Sequence, residues 1–194
     1  MKIYFDGCSW TYGGELEEEH RESQRFSRLV CEELGAEEYN ISKGGASNNR
    51  IVRQLLVENN ISDYDLAIIQ MTYPSRTEYY DKKWKGITIQ DTPLWNPKTW
   101  INKRYVIDHE DFWTYYYSKI YDEYYGSVYE NISAITIRNH CKVNNVKLIL
   151  TTINKNKEMK FDFDLDNKRY PRASGYHPNK DGHRLIAENL LELV

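Results

Sequence analysis

Cysteine is scarce in this chain: three among 194 residues, Cys8, Cys31 and Cys141, far apart and odd in number. With no Cys-x-x-Cys pair there is no disulfide framework, which fits a reducing compartment. Long apolar runs are also missing. None approaches the ~18 residues of a membrane-spanning helix. The N-terminus, Met1 to Gly7, turns polar after Phe5, too early for a secretory apolar core. No membrane association and a cytoplasmic location are therefore expected. Nor is there an excess of positive charge. Lys and Arg number 26 against 29 Asp and Glu, a net charge of −3. That argues against general affinity for nucleic acid or anionic membranes.

Only 40% of residues are hydrophobic and mean hydropathy is −0.77, so the chain is polar for a globular protein. The aromatic fraction, 14% with 17 Tyr, separates it from disordered sequences. Tyr and Trp bring apolar area with a polar handle, suited to core and interface filling or to a surface that stacks on sugars or bases. The length predicts one domain, with room for an insertion.

The patterning alternates strand and helix. Lys2–Phe5 reads as a first strand ending at Asp6-Gly7. Phe26, Leu29, Val30 and Leu34 have helical spacing, predicting a helix over Glu22–Leu34 stopped by Gly35. Tyr39–Ile41 is a short strand. Ser47 or Asn48 caps a helix whose face is Ile51, Leu55 and Leu56. Asp65–Met71 holds the continuous apolar run of a strand buried on both faces. Thr72–Asp111, with Pro74, Pro93, Pro97, Trp84, Trp95 and Trp100, has poor periodicity and reads as an aromatic insertion or cap. One long helix or two follow over Phe112–Val143, then a strand at Val146–Leu150. A charged loop spans Asn154–Pro171, and a last helix spans Asn179–Leu193. Such alternation predicts a parallel sheet covered on both faces, with a ligand site beyond the carboxyl ends of its strands. The polar loops at 8–14, 43–49 and 71–78 and the segment before 179 can meet there.

Two of these loops carry chemistry. Gly7-Cys8-Ser9-Trp10-Thr11-Tyr12-Gly13 follows the first strand, where a tight turn can expose the Ser9 hydroxyl. Gly175-Tyr176-His177-Pro178-Asn179 precedes the last helix. A serine and a distant histidine form a nucleophile–base pair if the fold joins them.

In this arrangement the sequence resembles the SGNH (GDSL-type) hydrolases, and within them small phage and bacterial versions whose first block reads Gly-Cys-Ser. The opening pattern G-D-S-x-T-x-G is met from Gly7 to Gly13, with Cys8 in place of Asp. Gly44-Gly45-Ala46-Ser47-Asn48-Asn49-Arg50-Ile51 resembles the second block. Gln70-Met71-Thr72-Tyr73 stands where G-x-N-D is usual, with Thr72 in place of Asn. His177-Pro178 fits the last block, D-x-x-H-P, with Ser174 at the Asp position.

The resemblance implies a single three-layer α/β/α sandwich, a flavodoxin-like SGNH hydrolase fold with a parallel sheet of about five strands. It implies Ser9 as nucleophile and His177 as general base and acid. Ser9, Gly45 (or Gly44) and Thr72 would form the oxyanion hole. Ser174, a backbone carbonyl, Asp162, Asp164 or Asp166 could support His177 in place of the missing Asp. Trp10, Asn48 and Arg76 are candidate substrate contacts, and Arg76 could instead pair with Glu78. The activity implied is hydrolysis of small acyl esters, such as acetyl groups on a glycan. Acyl transfer to a sugar or nucleotide hydroxyl and an inactive fold reused for binding are the alternatives.

No metal or cofactor is implied. Asp162-x-Asp164-x-Asp166 begins like a calcium loop, but Asn167 replaces the required Gly and no Glu closes it, leaving a solvated acidic loop. Cys8 reads as a buried structural residue, His183 as a packing or capping group, and Asp181 as a cap or solvated residue. His20, His109 and His140 read as surface residues, and the Glu-rich run Glu15–Arg21 as a solvated face.

Overall fold

A computed structural model of the chain describes residues 1–87, 109–154, 160–165 and 169–194. Its frame is a five-stranded parallel sheet built from β1 (Lys2–Asp6), β2 (Glu37–Asn40), β3 (Leu66–Met71), β6 (Lys147–Thr152) and β7 (Phe163–Asp164). The spatial order is β2-β1-β3-β6-β7, and every pairing is parallel. This is a doubly wound order: from β1 the chain goes out to β2 and then crosses back to β3, so the switch point lies between β1 and β3.

The layers follow from the period of two along each strand. Ile3, Phe5, Leu66, Ile68 and Ile149 turn to one face. There they pack on Phe26 and Val30 of α3 (Phe26–Leu34) and on Ile186 and Leu190 of α7 (Lys180–Leu191). Tyr4, Ala67, Ile69 and Leu150 turn to the other. They meet Ile51 of α4 (Asn48–Arg53), Leu55 just beyond it, and Ala134 and Ile137 of α6 (Glu123–Val143). The expected three-layer α/β/α sandwich is the observed one. All six residues of β3 are buried, because helices cover both faces of this central strand.

Several elements depart from the sequence reading. The helix expected over Glu22–Leu34 is two, α2 (Arg21–Gln24) and α3, separated by Arg25 in an extended conformation. The break is stabilised from outside: the Phe26 N–H donates to Nδ1 of buried His183 at 3.2 Å, a side-chain cap from a distant helix. Arg25 is drawn to Glu38 of β2, 2.9 Å away. The Phe112–Val143 segment divides into α5 (Glu110–Tyr115), a wide helical turn at Tyr116–Ile120, and α6, which Asp122 caps through the Tyr125 N–H. The charged loop after β6 contains β7, the fifth strand. Within the expected insertion, β4 (Thr77–Asp81) and β5 (Lys83–Ile87) form an antiparallel hairpin. Ile87 packs with Trp113 and Tyr117 in a separate aromatic cluster. Asp166, Trp95, Trp100, Pro93 and Pro97 lie outside the described residues. Among those described, no helix is long and apolar enough to cross a membrane.

Buried titratable groups sit near the site end of the sheet. Asp6, fully buried, binds Arg50 at 2.7 Å; burial still pushes its carboxyl up to about 6 against the pull of that guanidinium. His183 is held the other way: burial, aided by the nearby His177, lowers it from 6.5 to about 3. Between those two values the unfolded chain binds a proton that the folded chain refuses. The His183 contribution is therefore complete above pH 6.5 and is lost as pH falls towards 3. Unfolding free energies from urea titrations should show a slope of ~1.4 kcal/mol per pH unit from this group, absent in His183→Gln. Equal slopes in both proteins would refute the assignment.

Candidate active site

The site forms at the carboxyl ends of β1 and β3. Beyond β1, Asp6 accepts the Gly7 N–H, and the chain enters the short helix α1 (Ser9–Tyr12). Gln70 of β3 fixes this turn: its Oε1 accepts from the Thr11 N–H and hydroxyl, and its Nε2 donates to Cys8 Sγ. A side chain at Gly7 could not fit, since its Cβ would lie 2.6 Å from Thr11 Oγ1 and 2.7 Å from Gln70 Cβ. Cys8 is completely buried here, as a structural residue.

Ser9 Oγ lies 2.7 Å from His177 Nε2. The other ring nitrogen, Nδ1, lies 2.9 Å from Glu15 Oε2. The same carboxylate accepts the N–H groups of Gly175 and His177 at 2.6 and 3.1 Å. Burial alone would raise the Glu15 carboxyl, but the hydrogen bonds from His177 and Gly175 outweigh it and hold the group below its ordinary range. An ionised carboxylate only accepts. Nδ1 therefore carries the proton and Nε2 is left to accept the Ser9 hydroxyl. The arrangement can abstract that proton.

Glu15 is the residue that sequence reasoning passes over, because it opens a run of glutamates that resembles a solvated face. The structure corrects that reading at Glu15, at Leu16, which is buried, and at Arg21, which donates to the Tyr12 hydroxyl at 2.9 Å. Glu17, Glu19 and His20 remain exposed and lie close together. The signal lay in its neighbours. Gly13, at φ +85, turns the chain back after α1, and Glu15 itself holds φ +67. Such a conformation costs a non-glycine residue about 1–3 kcal/mol, so surrounding contacts must hold it. At Gly14 a Cβ would crowd Ser9 O at 3.0 Å and His177 Cδ2 at 3.3 Å; at Gly175 it would strike the Glu15 carboxylate at 2.4 Å.

The other proposed supports stand elsewhere. Ser174 is exposed, and the Nδ1 contact expected of it is made by Glu15. Asp162 accepts the Leu150 N–H, Asp164 lies in β7, and Asp181 is exposed on α7. His109 is exposed and His140 half-buried on α6.

The second block approaches Ser9 through the Lys43 N–H, which donates to Gly7 O at 3.1 Å. Gly45 has φ +73, and among the described residues its N–H and that of Ser9 meet no acceptor. Ser47 caps α4 by accepting the Arg50 N–H. Asn48, expected as a substrate contact, is buried with its amide clasped on the backbone of Thr72: Nδ2 to Thr72 O at 3.0 Å, and Oδ1 from the Thr72 N–H at 2.8 Å. Thr72 is itself fully buried, and its Oγ1 accepts from Arg76 Nη1 at 2.8 Å. Trp10, also expected at the substrate, belongs to the core, with the Arg172 guanidinium over its ring. Glu78, a suggested partner of Arg76, binds Arg53 through two hydrogen bonds of 2.7 and 2.8 Å.

Beside Gly44 and Gly45 opens a cleft of about 640 Å³, bounded across from them by Trp84 and Gly86 of the hairpin. Trp84 is 45% exposed, and the Arg53 guanidinium sits 4.3 Å above its ring.

No family model matches the chain, and no curated protein matches it in sequence. Solved structures do match. A psychrotrophic esterase, EstA from Pseudoalteromonas sp., superposes with a TM-score of 0.54 at 9% identity, over 98% of this chain and 94% of that one. A GDSL-like lipase from Bacteroides thetaiotaomicron gives 0.51 at 13% identity, over 99% and 88%. The chain has the SGNH (GDSL-type) hydrolase fold. A carbohydrate esterase gives 0.59 at 12% identity over 99% of this chain, which spans 64% of that larger one. The SGNH fold explains why the loops after β1, β2 and β3 and before α7 meet at one edge.

The Glu15 contact depends on the missing side chain at Gly175. In proton NMR, the low-field resonance of His177 Nδ1–H should be present in the wild type and absent from Gly175→Ala. Its survival in that variant would place the proton on another contact.

Proposed function

We propose that the protein is a serine esterase that hydrolyses small acyl esters through an acyl-enzyme. The supporting observation is the continuous relay Ser9–His177–Glu15, with contacts of 2.7 and 2.9 Å. Ser9 Oγ attacks the acyl carbon while its proton passes to His177 Nε2, and Glu15 offsets the imidazolium charge. The N–H groups of Ser9 and Gly45 receive the negative oxygen of the tetrahedral intermediate. As that intermediate collapses, the ester C–O bond breaks and the alcohol leaves with the proton from His177. Water then attacks the acyl-enzyme, giving its proton to His177. The acyl–Oγ bond breaks, the proton returns to Ser9, and a carboxylic acid leaves.

An acetylated glycan is the substrate class we favour; the cleft beside Gly45 is lined by neither Ser9 nor His177, and would hold the part of the substrate away from the acyl group. Trp84 offers an exposed ring beside Gly45, and Arg53, Gln54 and Glu78 supply polar groups suited to hydroxyls. The fold is shared with a carbohydrate esterase, which agrees with this reading. The relay geometry favours catalysis over an inactive binding fold.

Intact mass after treatment with a fluorophosphonate should show one adduct on the wild type and none on Ser9→Ala. Turnover of p-nitrophenyl acetate should fall about 10²–10⁴-fold in Glu15→Gln, which keeps the shape but loses the charge and tautomer control. An unlabelled wild type would overturn the proposal.

A further inference from the structure

The third oxyanion donor of this fold is usually an Asn side chain after the third strand, and Thr72 stands there. It cannot take that part from where it lies. Its side chain has no exposed surface, and its backbone N–H and C=O are both bound to Asn48. The group that stands over it is Arg76. A tight turn, closed by the Arg76 N–H on Tyr73 O at 3.1 Å, brings Arg76 back onto Thr72. Its Nη1 donates to Thr72 Oγ1, and the guanidinium lies 5.2 Å from the Tyr73 ring centre.

Arg76 also differs in charge balance from its neighbours. Arg50 is neutralised by Asp6, Arg53 by Glu78 and Glu58, and Arg25 by Glu38. Among the described residues no carboxylate pairs with Arg76. A partly buried guanidinium without a carboxylate partner is free to receive an anion. It has five N–H donors, one of them committed to Thr72.

We propose that Arg76 supplies the third oxyanion donor, and that Thr72 and Tyr73 hold it in place. The assignment rests on the esterase reading above. The guanidinium would place a full positive charge, rather than an amide dipole, against the developing oxyanion. No proton is transferred to or from it. Thr72 becomes a positioning residue, acting through Arg76.

The test is p-nitrophenyl acetate turnover by wild type, Arg76→Ala, Arg76→Lys and Thr72→Val, with thermal midpoints to confirm folding. Arg76→Ala should lose about 10²–10³-fold in kcat, the cost of one oxyanion donor, with KM changed less than about threefold. Arg76→Lys should keep more activity than Arg76→Ala, because it retains the charge. Added guanidinium at millimolar concentration should restore part of kcat to Arg76→Ala, which a merely structural role would not allow. A kcat for Arg76→Ala within about threefold of wild type would overturn the assignment and leave the esterase reading intact. So would a loss confined to KM, which would make Arg76 a ground-state substrate contact. A wild type that neither turns over nor labels with fluorophosphonate would overturn both.

Discussion

The Glu15 carboxylate is the contact on which the site depends. It binds three groups of one short turn: the Gly175 N–H, the His177 N–H and the His177 ring. The turn has its own backbone bonds, among them the Ala173 N–H on His177 O at 2.9 Å, but the described contact to the His177 Nδ1 is the Glu15 carboxylate. Glu15 follows Ser9 by only six positions in the chain. One loop therefore carries both, and the long-range fold has a single remaining task, to deliver His177. The parallel sheet accomplishes it by placing α7 against α3 on the face that Ile3 and Phe5 of β1 line.

The left-handed conformations at the contact follow from this economy. Glu15 and Tyr176, at φ +67 and +70, lie on the two chain segments that meet there. Neither is a glycine, so neither backbone would adopt this shape unaided. Hydrogen bonds between the segments stabilise both, while glycines at 14 and 175 remove the side chains that would keep them apart.

Much of the frame was legible in the sequence because it is local. The buried run Leu66–Met71, the Ser47 cap and the Gly35 stop each follow from a few adjacent residues. Ser9 and His177 could be named because the motifs around them resemble a known pattern. What could not be read depends on contacts between distant segments. The break at Arg25 is stabilised by His183, far along the chain. Glu15 has the composition of a surface run and acquires its partners only after folding. Asn48 and Trp10 are polar-capable residues near the motifs, and only the fold directs one to the Thr72 backbone and the other into the core.

The hairpin β4–β5 has a core of its own. Ile87, Trp113 and Tyr117 pack together, apart from the two clusters that sandwich the sheet. The Ser9 loop, by contrast, is anchored by Gln70 within the sheet. The hairpin and the Ser9 loop thus have separate foundations. Changes that reshape the Trp84 side of the cleft need not disturb the alignment of Ser9, His177 and Glu15. The hairpin could be exchanged while the sheet and the loops beyond β1 and β3 keep their places.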